Sequence, residues 1–298
     1  MRKKLTAVLL AETMLLTSGV TVFADRVDAV IDKPYLALGA DLSPQEQMTV
    51  LSLLGLSDIN VDDYDIISIT NADEHEYLDK YLDASIIGTR ALSSVLVVGK
   101  EAGNGIHVTT KNISYCTEGM YRNALLTAGI EDADITVAGP FSISGTAALV
   151  GAIKAYETMT GEEIDDENLD AANDELVLTG KLVEDIGDSE KAEDLMALVK
   201  QEVAENKLTS AEDIQNVVDQ ACDQLDIQLS EENQKQIAEL MKKIEGLDLD
   251  VDKLKDQAKD LYQKLEDLDF HVDKESVGNF FTRIIDAIVN FFQGLFGK

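Results

Sequence analysis

The sequence predicts an α+β protein: an N-terminal α/β domain on a five-stranded mixed sheet with about four helices, followed by an all-α helical domain. Three observations predict it. Up to residue 160, short stretches that alternate apolar and polar side chains, such as YDIISIT at 64–70, are separated by capped helical stretches. Beyond Gly161 the alternation stops, while apolar residues still recur at spacings of three and four. The charge balance shifts at the same point, residues 161–275 carrying 35 acidic and 12 basic side chains against 20 and 8 in residues 25–160. The stretch 132–157 joins the two regimes, because there a strand runs through Gly139-Pro140 into a helix of small residues. The domains so divided are 1–24, 25–160, 161–275 and 276–298.

Arg2-Lys3-Lys4 precede an apolar run from Leu5 to Val22 and the small-x-small step Val22-Phe23-Ala24, the pattern of a secretory signal cleaved after Ala24. Tyr35 to Asp41 reads as the first strand. Ser43-Pro44-Gln45-Glu46 is a capping box with proline at the first helical position, so a helix follows to about Leu54 and stops at Gly55. Tyr64 to Thr70 is the second strand, and Asn71 caps a helix to about Leu82. Ser93 to Lys100 and Ile106 to Ile113 read as a hairpin around Gly103-Asn104-Gly105, whose Asn-Gly step suits positive φ. Thr117 caps a helix that ends at Gly129, and strand Ile135 to Ala138 leads to a last helix capped by Ser144 or Thr146. The helix–glycine–strand pattern recurs at Gly55 and Gly129, which fits either an old duplication or convergence on a βαβ pattern. Caps near Ser189, Ser210 and Ser230 divide the acidic region into helices. A repeat, residues 244–253 and 265–274, reads as successive helix ends with aspartate caps.

Charge narrows the function. The formal net charge is −32, and loss of residues 1–24 removes three positive charges and one negative, leaving −34. Such an excess repels nucleic acid, whose phosphates need clustered Lys and Arg. The two cysteines allow one disulfide in an exported chain, with two unpaired thiols the favoured reading: Cys222 falls on the apolar stripe of a helix, and Cys116 directly precedes a cap.

Complete catalytic and metal motifs are missing. His75 and Asp79 stand one helical turn apart, but no second histidine follows at ligand spacing. Asp248, Asp250 and Asp252 begin like a calcium loop, yet Lys253 replaces the glycine and Lys259 the glutamate that such a loop needs. Ser142, Ser144, Gly145 and Thr146 enter a helix without the Gly-Lys-Ser/Thr of a phosphate loop or a Gly-x-Ser-x-Gly elbow. No cofactor and no metal is therefore expected. The best candidate polar site is Glu74, His75, Arg90, Ser144 and Thr146.

The final segment is apolar on one broad helical face, including Phe280, Phe281, Ile284, Ile285, Ile288, Phe292 and Phe296, and holds half or more of the chain's eight phenylalanines. Such a face must dock on a membrane surface, a protein groove or the protein's own core.

Leu38-Gly-Ala-Asp-Leu-Ser43, Thr70-Asn-Ala-Asp-Glu-His-Glu-Tyr-Leu78, Ile87-Gly-Thr-Arg-Ala-Leu-Ser-Ser94, Met120-Tyr-Arg-Asn-Ala-Leu-Leu-Thr-Ala-Gly129 and Pro140-Phe-Ser-Ile-Ser-Gly-Thr-Ala-Ala-Leu149 together carry a resemblance. On these stretches the chain resembles the secreted bacterial family of domain of unknown function 1002, the YpuA-like proteins. The resemblance implies export from a Gram-positive bacterium and brings no catalytic residues with it. The expectation is an extracellular or envelope-associated, non-catalytic interaction module whose partner is an envelope protein or membrane surface. A secreted hydrolase of envelope material and an acidic protein that binds divalent cations are the alternatives.

Overall fold

The computed structural model describes residues 33–255 apart from 58, 59, 162 and 248. The expected signal sequence 1–24, the second repeat copy 265–274, Asp248 and the expected apolar face from Phe280 to Phe296 lie outside the described residues. The strands β1 (Tyr35–Gly39), β2 (Asp65–Ile69), β3 (Ser94–Gly99), β4 (Ile106–Ile113) and β5 (Ala133–Ile143) form one sheet in the order β2-β1-β3-β5-β4. β3 is antiparallel to both neighbours, while β1 with β2 and β4 with β5 are parallel. The sheet is thus mixed and five-stranded, as its sequence predicts.

The expected hairpin between β3 and β4 does not form, because β5 lies between them. The turn after β3 is glycine-rich for another reason. Asp132, at the mouth of β5, accepts the amides of Gly103 at 3.0 Å and Gly105 at 2.7 Å, so the loop wraps the end of the intervening strand.

Period-two alternation divides the sheet between two cores. Tyr35, Ala37, Val95, Val97, Ile135 and Val137 face the larger one, under α2 (Asn71–Leu78), α4 (Glu118–Thr127) and α5 (Thr146–Thr160). Leu36, Ala138 and half-buried Leu96 face the smaller, covered by Val50 and Leu54 from α1 (Pro44–Leu53) and its end. Gly151 lets α5 sit close, since a Cβ there would stand 2.8 Å from the Cβ of Ala37. The units β1-α1-β2 and β4-α4-β5 step in the same direction along the sheet with their helices on opposite faces. They therefore have opposite hands, which a duplicated unit would not.

Local chemistry sets most helix ends. Ser43 and Glu46 form the capping box, and Thr117, Ser210 and Ser230 each accept an amide of their helix's first turn. Thr70, not Asn71, caps α2 through a box with Asp73, because its extended backbone puts the hydroxyl over the third helical amide. That helix ends at Leu78, and the short α3 (Ala84–Ile87) follows. Asp188 rather than Ser189 caps α7 (Ser189–Asn206).

α6 (Asp166–Ile186) is shared by both halves. Ala172 and Leu176 belong to the sheet's core, whereas Leu178 and Leu182 join α7, α8 (Ala211–Gln224) and α9 (Glu231–Glu245) in a helical core. α7 is the axis of that bundle, its side chains buried without interruption from Leu195 to Val203.

Candidate functional site

The Thr70 cap starts α2 so that Glu74 turns inward while His75 and Glu76 stay nearer the surface. Glu74 is 1 % exposed. Its carboxylate accepts the Thr146 hydroxyl at 2.6 Å and the Asn71 amide at 3.1 Å. Burial raises its pKa, and those two hydrogen bonds oppose the rise. Thr146 is the first residue of α5, so the acid also lies at a helix N-terminus, where negative charge is favoured.

Neither Ser144 nor Thr146 caps α5 as expected. The cap residue is Gly145, at φ 101°, with no side-chain cap bond. A Cβ there would stand 2.7 Å from the Tyr121 Oη and 2.8 Å from Ile113, so both conformation and space call for glycine. The Thr146 hydroxyl is drawn to Glu74 instead. Ser144 Oγ lies 3.2 Å from Thr146 Oγ1 and donates to it, since the threonine's single proton serves the glutamate. Ser93 accepts the amide of Ala148 at 2.9 Å, and Tyr121 donates to the Gly145 carbonyl at 2.5 Å.

The other two candidates have different partners. Arg90 donates to the Asp41 carbonyl at 2.8 Å and to Glu46 at 3.0 Å, tying the start of α1 to the segment before β3. His75 Nδ1 lies 2.5 Å from Asp79 Oδ1, a contact that raises the imidazole's pKa. The structure thus brings Glu74, Ser144 and Thr146 together and gives Arg90 and His75 structural partners of their own.

A second buried polar group lies outside the site that the sequence predicts. Lys200 and Glu175 are both 0 % exposed, at the contact of α4, α6 and α7. The ammonium donates to the Asn123 carbonyl at 2.9 Å, Thr127 Oγ1 at 3.1 Å and Glu175 Oε2 at 3.1 Å, and Thr127 donates to the same carboxylate at 2.5 Å. Glu175 Oε1 stands 3.0 Å from the ammonium without hydrogen-bond geometry, so charge alone holds it. Burial pushes the carboxyl up and the ammonium down, and their mutual attraction opposes both shifts. The available signal was that each charge falls on its helix's apolar stripe, Glu175 among Ala171, Ala172, Leu178 and Leu182, Lys200 among Met196, Val199 and Val203.

Among the described residues, no three His, Cys, Asp or Glu side chains converge as a metal site. Asp250 accepts the amides of Asp252 at 2.9 Å and Lys253 at 3.2 Å, the geometry of a helix cap. Both cysteines are free and buried, and burial raises the Cys116 thiol to about 12.

The model of the family described as a protein of unknown function (DUF1002) matches residues 38–261. The chain belongs to that family. It is similar to the uncharacterized protein YpuA of Bacillus subtilis (strain 168), with 38% identity over 271 residues that cover 89% of this chain and 92% of YpuA. No solved structure matches. Glu74, Glu175 and Lys200 all fall inside the stretch that the DUF1002 model matches.

Proposed function

We propose that this DUF1002 protein is an exported, non-catalytic protein of the cell envelope, an interaction module attached through its C-terminal apolar segment. One observation carries the reading: the polar side chains most suited to chemistry are engaged within the fold. Glu74 is buried against Thr146 and Asn71, Arg90 ties α1 to the chain before β3, and His75 is paired with Asp79. Beside that observation stand two features of the sequence, a broad apolar face in the helical pattern of 277–296 and an N-terminal stretch built like a secretory signal. An apolar helical face of that size contributes several kcal/mol wherever it docks, at about 25 cal/mol per Å² buried. The partner is an envelope protein or the membrane surface.

The test is to replace Ile284→Asp and Ile288→Asp together and compare the cell fractions that hold the protein. Release of the variant into the medium, with the melting temperature of the parent, supports attachment. Retention of the variant in the envelope fraction refutes it.

A further inference from the structure

The loop between β3 and β4 holds the chain's single Asn-Gly step, Asn104-Gly105. Glycine is the residue that least hinders attack of its own backbone nitrogen on a preceding asparagine side chain, because it has no Cβ. Residues 101–104 are exposed, so water reaches the step. Both oxygens of one carboxylate are committed there. Asp132 Oδ1 accepts the Gly105 amide at 2.7 Å and the Gly103 amide at 3.0 Å, while Oδ2 accepts Lys253 Nζ at 2.5 Å. The nitrogen that would attack is thus bonded to an anion, and that anion is itself anchored in an ion pair whose side chains are only 13 % and 12 % exposed.

We infer that Asn104 is a site of spontaneous deamidation and that Asp132 sets its rate. In the reaction the Gly105 N–H loses its proton to hydroxide, the nitrogen bonds to Asn104 Cγ, and the Cγ–Nδ2 bond breaks with release of ammonia. Water then opens the succinimide ring at either carbonyl and leaves an aspartate or an isoaspartate. Asp132 opposes the first step in two ways. Its negative charge disfavours loss of the proton it accepts, and the hydrogen bond restrains the nitrogen that attacks. The product differs from the parent in what it can donate. Asn104 Nδ2 donates to the Gly105 carbonyl at 3.0 Å and to Asp134 at 3.4 Å. A carboxylate has no proton to give either acceptor, and it gains at most a protonated His107, whose Nδ1 lies 3.2 Å away. Each molecule that reacts therefore loses the bonds that close this loop onto Asp134 at the start of β4.

The test is to age the full chain and an Asp132→Ala variant in mildly alkaline buffer and to weigh the tryptic peptide 101–111. That peptide contains one asparagine, so the mass gained when an amide becomes an acid reports Asn104 alone. The expected result is slow conversion in the parent and conversion about tenfold faster or more in the variant, where a bond to a charged acceptor no longer has to break. Slow amide exchange at Val95 and Val97 checks that the variant keeps its sheet. Equal conversion in the two proteins, or none in either, would overturn the inference. A second measurement needs no variant: the Gly105 amide should exchange slowly in the parent, and fast exchange there would remove the bond on which the inference rests.

Discussion

Glu74 and Glu175 are equally hidden, yet their surroundings differ in kind. Glu74 meets neutral donors and the start of α5, with an attraction from His75 but, among the described residues, no ion pair. Glu175 meets Lys200, itself wholly buried, in a network that joins α4 to α6 and α7 of the bundle. A carboxyl among neutral donors can give up its charge and keep its hydrogen bonds, whereas half of a buried ion pair cannot lose its partner cheaply. The first site should tolerate isosteric change and respond to pH; the second should respond most to removal of one charge.

The largest effect is therefore expected for Lys200→Met, which strands Glu175 without a cation and should cost about 3–5 kcal/mol. Urea unfolding checks it. The Glu175→Leu, Lys200→Met double variant should recover most of that loss. If it is as unstable as the single variant, the network matters for packing rather than charge.

Next comes Glu74→Leu, which leaves the Thr146 hydroxyl unsatisfied and should cost about 1–3 kcal/mol, against less than about 1 kcal/mol for Glu74→Gln. The glutamine keeps an acceptor for Thr146, and Asn71 can turn its amide to suit. Equal losses in the same unfolding experiment would mean that Glu74 needs its charge, making the two glutamates alike.

Neighbouring acids sharpen the contrast through pH. Glu74 has a pKa raised above its ordinary 4.5, so the folded chain holds that proton longer than the unfolded one. Its stabilising contribution is present below pH 4.5 and is lost as pH rises through the folded value, so the stability difference from Glu74→Gln should shrink upward from there. Asp73 behaves oppositely. Burial would raise it, but the hydrogen bonds from Lys154 and Thr70 prevail and hold it at about 2. Its contribution is present above 3.8 and lost as pH falls through about 2, so Asp73→Asn should cost least in strong acid. Unfolding curves from pH 2 to 7 measure both signs.

The smallest effect is local. His75 should titrate above 6.5 by NMR and return toward that value in Asp79→Asn, with little change in stability because the pair is exposed.

What the sequence made legible follows the range of the interactions. Ser43, Thr117, Ser210 and Ser230 cap helices three residues away, and the strand alternation that divides the two cores is equally local. The β3–β4 turn misled because its glycines answer to Asp132, 27 residues beyond Gly105, and turn chemistry does not say which strand lies alongside. Local chemistry offers Ser144 or Thr146 as the cap because Glu74, 72 residues before Thr146, is invisible to it. Grouping Glu74 with Ser144 and Thr146 was legible as polar residues near one strand–helix junction; their engagement with one another was not. Lys200 and Glu175 were lost among acidic helices, where a charge on the apolar stripe looks like one more solvated side chain.

The proposed function assigns attachment to the C-terminal segment. The most direct test is to follow the full chain beside one ending at Glu275, locating each in the medium, wall and membrane fractions and melting each. Movement of the shortened chain into the medium at an unchanged melting temperature is the predicted result. An unchanged distribution with a collapsed melting temperature would contradict it, making the segment part of the core and returning the α/β domain to the centre of the question.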